Sequence, residues 1–244
     1  MARPKAGKDR ETAKLSGEQV IATIRQRQSK TLLSFSRGKD AIAAWLAIRD
    51  HFDEVVPFYL DLIPGLEFVE QSVQDFEKFF GTRILRLTHP SLHRWVNSFM
   101  FQPPERCAVI EQAGLSDFDY NDVHAAIVEH LGLPANTMYA TGVRSADSPM
   151  RRMAISMYGA ITWAQHKYHP VHDWNKQRML DEFKRHKVVL PVDYELFGRT
   201  FDGLDLRFLL PIKQRFPRDY QRILEWFPLA ELEVFRWECA QRGK

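Results

Sequence analysis

Leu32-Leu33-Ser34-Phe35-Ser36-Arg37-Gly38-Lys39-Asp40-Ala41-Ile42-Ala43-Ala44-Trp45 changes character twice within fourteen residues. From Thr31 to Phe35 it is a short apolar run, as a buried strand requires. At Ser36 to Lys39 it becomes polar and glycine-containing. From Ile42 onward it takes up helical spacing, with Trp45, Leu46 and Ile48 continuing an amphipathic segment to about Asp50. A strand, a tight loop and a helix in that order place the loop at the carboxyl end of a strand, where open α/β sheets bind their ligands. The loop suits a polyphosphate: Ser34 and Ser36 offer hydroxyl donors, Gly38 permits close backbone approach, and Lys39 supplies a point charge. The first N–H groups of the following helix point to the same place. It is not a Walker A loop, because GxxxxGK[ST] is absent. A serine-rich turn that merely caps a helix is the competing reading.

The chain on either side repeats the alternation. Ser16 and Gln19 form a capping box ahead of Val20, Ile21 and Ile24, the apolar stripe of a helix ending near Gln28. Val55 to Leu60 and Arg83 to Leu87 read as strands, separated by a helix from Phe68 to Phe80. A helix from Asp119 to Leu131 stops at Gly132 and Pro134, a fourth strand spans Thr137 to Thr141, and Asp173 is placed to cap a helix running to Lys187. Leu206 to Phe216, Arg218 to Phe227 and Leu229 to Ala240 read as three helices punctuated by Pro211, Pro217 and Pro228. The expected fold is α/β, a doubly wound, mostly parallel sheet covered on both faces, with a helical C-terminal extension. Expected divisions are a flexible basic tail over residues 1–15, a nucleotide-binding domain over 16–190 and the helical extension over 191–244.

Composition narrows the class. A chain of 244 residues with 45% hydrophobic content holds a real core. No apolar run approaches the roughly 18 residues of a membrane helix, and there is no signal-peptide core, so a soluble, cytoplasmic protein without a membrane partner is expected. Two cysteines, Cys107 and Cys239, cannot build a disulfide framework or a four-thiolate cluster within one chain. Arg3, Lys5, Lys8, Arg10 and Lys14 against Asp9 and Glu11 account for the whole formal net charge of +3. The neutral body disfavours nucleic acid as the primary ligand, although a basic tail raises non-specific phosphate affinity.

A second element follows the fourth strand: Thr141 to Arg152, TGVRSADSPMRR. Gly142 gives a tight exit, and Arg144, Arg151 and Arg152 bracket Ser145, Asp147 and Ser148. Arginines at the carboxyl end of a strand suit multidentate capture of phosphate oxygens; a surface loop with solvated arginines is the alternative.

Together these motifs resemble the 3′-phosphoadenylylsulfate (PAPS) reductase family of the PP-loop, or adenine-nucleotide alpha-hydrolase, superfamily. Ser34 to Asp40 is similar to its SFSGGKDS loop. Gly142-Val143-Arg144 with Ser148 and Arg151 is similar to its GxRxxxSxxR motif. His169 to Trp174 is similar to its P-I-x-D-W segment, and Phe58-Tyr59-Leu60-Asp61 to the second strand, which ends in an acidic residue near the adenosine. The likeness runs in matching order over residues 16–190. It implies a five-stranded HUP-like sheet. It also implies a nucleotide site of Ser34, Phe35, Ser36, Arg37, Gly38, Lys39, Asp40, Asp61, Gly142, Arg144, Ser148 and Arg151. Lys39, Arg144 and Arg151 would stabilise the reacting phosphates, and magnesium would arrive with the nucleotide, held by Asp40 or Asp61.

Departures from the family separate three functional readings. Arg37 replaces the first glycine of the family loop, adding charge and demanding space, and Ala41 replaces its serine. Family reductases carry a catalytic cysteine in an E-C-G-x-H tail, whereas this chain ends Glu238-Cys239-Ala240-Gln241-Arg242-Gly243-Lys244, without that glycine and histidine beside the cysteine. A half-buried thiol on the last helix is therefore expected at Cys239, with the nucleophile as alternative. The cysteine pairs that ligate an iron–sulfur cluster in related reductases are absent, so no cluster is expected. His166, His169 and His172 recur every third residue, but Pro170 interrupts any helix and a zinc site is not expected. The leading reading is an ATP pyrophosphatase that adenylates an acceptor in sulfur transfer, with a sulfur-transfer partner protein, nucleic acid as a possible acceptor, and homo-oligomeric assembly. The others are a thiol-dependent PAPS reductase using Cys239, and a nucleotide-binding interaction subunit without turnover.

Overall fold

The computed structural model describes residues 11–242. In chain order these form α1 (Gly17–Arg25), β1 (Lys30–Ser34), α2 (Lys39–Ile48), β2 (Glu54–Asp61), α3 (Glu67–Phe80), β3 (Leu85–Thr88), α4 (Pro90–Asn97), α5 (Pro104–Ala113) and α6 (Tyr120–His130). There follow β4 (Tyr139–Ala140), α7 (Pro149–Tyr158), β5 (Ile161–Thr162), β6 (Lys167–Tyr168), α8 (Lys176–Arg185), α9 (Val192–Phe197), α10 (Leu206–Arg215), α11 (Pro217–Trp226) and α12 (Glu231–Arg242). Most of the expected basic tail, residues 1–10, lies outside the described residues. The rest of it is held: Thr12 is buried in a 3-10 turn, and its hydroxyl accepts the N–H of Ile161 at 3.4 Å. No helix among the described residues is long and apolar enough to cross a membrane.

The fold is α/β with a mostly parallel sheet in the order β3-β2-β1-β4-β6-β5. It has six strands rather than five, because Trp163 to His166 reverses the chain and adds β5 antiparallel to β6. β1 pairs in parallel with β2, Leu32 opposite Val56, and on its other side with β4, Leu32 opposite Tyr139. The chain thus lays β2 and β3 on one side of β1, then returns to lay β4 and β6 on the other. The β1–β4 boundary is the switch point, and loops leaving neighbouring strands there diverge to opposite faces and open a crevice.

The structure divides into two compact units. The first comprises the residues through Tyr59 with Phe80–Leu85 and His124–Leu190. Leu32 and Leu33 are wholly buried, and α2 buries Ala41 through Leu46 and Ile48, a helix apolar nearly all round because it lies inside the layers. Its Trp45 stacks on Phe80 at 4.0 Å. The buried Thr31 Oγ1 is satisfied by Met138 O and Tyr168 Oη, both at 3.0 Å. The second unit comprises Leu60–Phe79, Arg86–Val123 and the chain from Pro191 onward. Its core is an aromatic cluster in which Phe68 stacks on Phe216 at 5.4 Å and meets Phe201 edge-on at 6.0 Å. Asp219 of α11 is buried and accepts the N–H groups of Glu67 and Phe68 (2.6 and 3.1 Å), capping α3 from outside its own sequence.

Several boundaries differ from expectation for identifiable reasons. Pro211 sits inside α10, within the expected span, and Pro217 takes the first position of α11, while Pro228 opens a short 3-10 turn where a longer helix was expected to begin. Helix α9 ends at Phe197, closed by Gly198 in the left-handed region at φ 70°. Asp173 does not cap α8, whose N-cap is Asn175, accepting the Arg178 N–H at 2.8 Å. Asp173 accepts instead from Gly17 N–H at 3.0 Å, where a Cβ on Gly17 would stand 2.1 Å from Pro170 O. It therefore ties α1 to the segment before α8. Asp173→Ala is expected to lower stability by about 1 kcal/mol, the usual worth of an N-cap acceptor, and Asp173→Asn to retain most of it. Urea unfolding midpoints check this; an unchanged midpoint for Asp173→Ala would contradict the assignment.

Candidate functional site

The two loops at the switch point are the two motifs singled out in the sequence, and both belong to the first unit. The first begins with Phe35, whose N–H donates to Phe58 O at 2.8 Å and so extends the β1–β2 ladder by one residue. Its ring is buried edge-on against Phe80 at 4.9 Å. Phe35 is thus an anchor for the loop and presents no side chain to a ligand. Ser34 is half-buried and Ser36 exposed.

Arg37 then adopts φ 60°, a conformation costing an L-residue about 1 kcal/mol or more and nothing to glycine. That backbone turns its side chain inward: Arg37 is completely buried, with its guanidinium 5.5 Å from the centroid of Tyr59. The charge expected at the solvent-facing phosphate surface is therefore withdrawn from solvent and forms part of the loop's foundation. Gly38 follows as the N-cap of α2, with φ −79° and ψ 155° and no side-chain cap. Its carbonyl accepts the N–H groups of Ala41 and Ile42, both at 3.0 Å. Because Gly38 has no side chain, the polar end of α2 carries no acceptor of its own at the capping position, and its dipole favours an anion there.

The second loop lies directly on this helix end. A Cβ on Gly142 would fall 2.4 Å from the carbonyl carbon of Asp40 and 2.6 Å from Ala41 N, so only glycine lets the β4 exit touch the first turn of α2. Two residues on, Arg144 is 4% exposed and commits all three nitrogens. Nε donates to Asp40 Oδ1 at 2.7 Å, Nη2 to Asp147 Oδ1 at 2.5 Å, and Nη1 to Trp174 O at 3.4 Å. Asp147 also accepts from Arg151 at 2.5 Å, and Asp40 from Lys39 Nζ at 3.1 Å. A continuous chain of alternating charge results, Lys39–Asp40–Arg144–Asp147–Arg151, with one cation in excess.

These contacts divide the expected site residues by role. Arg144 is a bolt between the loops rather than an arm reaching for phosphate. Lys39 and Arg151, with side chains 37% and 49% exposed, are the cations able to meet an anion. Ser148 is the N-cap of α7, its hydroxyl accepting Arg151 N–H at 3.2 Å. Both oxygens of Asp40 are engaged by cations. In the second unit, Arg86 engages both oxygens of Asp61, each at 3.0 Å, and reaches Glu70 at 2.6 Å. Both carboxylates are thus paired with cations, and among the described residues no three histidine, cysteine or acidic side chains converge as a metal set. The sequence showed Asp147 only as a residue between arginines; its i+4 spacing to Arg151 was the available signal for a pairing.

The histidines and cysteines sit elsewhere. His166 stacks on His124 at 4.7 Å, and His172 Nε2 donates to Leu15 O at 3.0 Å. His169 Nδ1 shares a 2.7 Å hydrogen bond with the hydroxyl of Thr141, the residue before Gly142. Cys107 is half-buried, and Cys239 is exposed on α12 rather than half-buried.

No family model matches this chain, and no curated protein matches its sequence. Among solved structures it is similar to the NH3-dependent NAD synthetase of Campylobacter jejuni subsp. jejuni, with TM-score 0.45 and 10% identity over 97% of each chain. It is also similar to the PAPS reductase of Candida auris, with TM-score 0.43 and 15% identity over 78% of this chain and 88% of that one. A third is the U34-tRNA thiolase of Methanococcus maripaludis, with TM-score 0.41 and 12% identity over 88% of this chain and 78% of that one. At these scores the likenesses are remote and carry no functional weight.

His169, the half-buried neighbour of the second loop, sets a pH dependence. Burial first, then the charges of Lys167 and His172, push His169 down to about 3. An unfolded histidine protonates near 6.5. Between these values the unfolded chain binds a proton that the folded chain refuses, so stability is intact above about pH 6.5 and falls as pH drops towards 3, by at most about 1.4 kcal/mol per pH unit. His169→Asn, which keeps an acceptor for Thr141, is expected to flatten that slope. The remainder comes from His89, His124 and His172, which burial also lowers. Urea midpoints from pH 7 to 4 check it; parallel curves for variant and wild type would contradict it.

Proposed function

We propose that the chain is a PP-loop-type enzyme that takes Mg-ATP, cleaves it between the α- and β-phosphates and transfers the adenylyl group to an acceptor. One observation carries this reading: the α2 N-terminus, capped only by Gly38, stands at the β1–β4 switch point with Gly142 pressed against its first turn and Arg144 bolted to Asp40. A helix end without a capping side chain, bordered by exposed cations, is built for a polyanion.

The chemistry asks little covalent work of the protein. An acceptor oxygen or sulfur forms a bond to the α-phosphorus as the bond to the bridging oxygen of pyrophosphate breaks, the acceptor's proton passing to solvent. Negative charge accumulates on the leaving pyrophosphate, and oriented donors stabilise it because they need no reorganisation as it forms. Lys39 and the α2 amides serve the departing phosphates, Arg151 supplies the second accessible cation, and Arg144 positions both loops. Magnesium enters as part of the substrate, held chiefly by the phosphates. Sulfur transfer to the activated acceptor, from a partner protein, is the pathway context the sequence motifs favour; nucleic acid is one acceptor consistent with the basic N-terminal segment.

The exposure of Cys239 meets one requirement of the reductase alternative. Its position near the C-terminal end of α12 works against it, since the helix dipole there disfavours a thiolate. Lys39→Ala is expected to weaken ATP binding by about 1.5–3 kcal/mol, the range of a charge-assisted hydrogen bond, while Cys239→Ser leaves turnover within about threefold. Calorimetric titration and a pyrophosphate-release assay with the acceptor and partner present check this. Thioredoxin-dependent sulfite release from PAPS, abolished in Cys239→Ser with binding retained, would establish the reductase instead.

A further inference from the structure

At the opposite end of the same strands, the first unit holds a cavity of about 350 Å³. It opens where β1, β4 and β6 begin, between the segments at Arg27–Lys30, Leu133–Met138 and Trp163–His166. Its volume lies within the range of small-molecule pockets, about 300–1,000 Å³.

The lining sorts into an apolar part and a set of unspent donors. Leu133 and Met138 give an apolar floor, and Trp163 a flat aromatic wall. The Arg27 guanidinium lies 4.3 Å from the Trp163 centroid, a cation–π contact that uses none of its N–H donors. Three other polar side chains of the lining are already used: Gln28 exchanges two hydrogen bonds with the backbone of Met138, Lys30 pairs with Glu54 at 2.7 Å, and the Thr137 hydroxyl donates to Pro134 O at 2.7 Å. Among the described residues the side chains of Arg27, Asn136 and His166 make no hydrogen bond and no ion pair, and no carboxylate lines the cavity.

His166 adds an independent sign. It holds φ 53°, a left-handed conformation that strains a non-glycine residue, and such strain gathers at binding sites. That backbone lays its ring flat on His124 at 4.7 Å with planes 8° apart. His124 Nε2 is 2.7 Å from Thr137 O and must be the donor, since a carbonyl only accepts. The stack on a hydrogen-bonded partner thus holds the ring of His166, which lines the cavity together with Asn136 and Arg27.

We propose that this cavity is a second binding site, for a small planar ring bearing a carboxylate or phosphate. The ring rests between the apolar floor and the Trp163 edge, and the anion is met by Arg27 with Asn136 and His166 as further donors. Nothing in this assignment depends on the nucleotide reading of the loops at the other end of the strands.

Calorimetric titration of the full chain with indole-3-carboxylate and, separately, with phenyl phosphate, a ring phosphate that carries no adenosine, tests it, using acetate and neutral indole as controls. Saturable binding of at least one ring anion is expected, weakened at least tenfold by Arg27→Ala and by Trp163→Leu and changed less than twofold by Lys39→Ala. Which probe binds tells a carboxylate from a phosphate ligand. Arg27 is exposed, so that variant keeps the comparison if Trp163→Leu fails to fold. No binding by either probe, binding indifferent to Arg27→Ala, or binding lost in Lys39→Ala would overturn the proposal.

Discussion

The guanidinium of Arg144, held between the carboxylates of Asp40 and Asp147, is the interaction on which the rest of the site depends. Its side chain is only 5% exposed, so the charge survives burial because every nitrogen is matched by an acceptor. Removing one partner of such a buried pair typically costs about 3–5 kcal/mol, far more than the pair adds over an apolar substitute. The arrangement therefore fixes geometry more than it adds stability. It joins a residue in the first turn of α2 to a loop more than one hundred residues later in the chain, 104 positions from Asp40 to Arg144.

Two glycines make that junction possible by different means. Gly142 removes a side chain where backbone meets backbone, and Gly38 removes one where a capping acceptor would otherwise sit. Arg37 stands between the strand and Gly38 in a conformation that glycine adopts freely, and its buried guanidinium against Tyr59 replaces solvent contact with packing. The outcome is a rigid, cationic helix end at the switch point whose accessible charges, Lys39 and Arg151, lie at the two ends of the ion-pair chain.

Elements with a strong local code were legible. The Ser16–Gln19 capping box is present in both directions, and the strand–loop–helix around Ser34 to Asp40 falls within three residues of its expected limits. Some of what escaped had no periodicity to read. Helix α5 buries no residue at all, and β5 and β6 are two residues each. Residue identity announced charge at Arg37 and Arg144 but not direction, because a positive φ and a partner across the fold decide where a guanidinium points. Asp173 looked like a local cap since capping is usually local, yet the close approach of Gly17 to Pro170 brought a different helix end within reach.

Backbone amide NMR during titration with Mg-ATP, and separately with inorganic pyrophosphate, examines the central claim at the atoms concerned. The largest saturable shifts should fall on the N–H groups of Gly38 to Ala41 and of Gly142 and Val143, with both ligands. Shifts confined to residues outside the Ser34–Asp40 and Thr141–Arg151 loops, or none at saturating concentrations, would contradict a polyphosphate site at the α2 N-terminus.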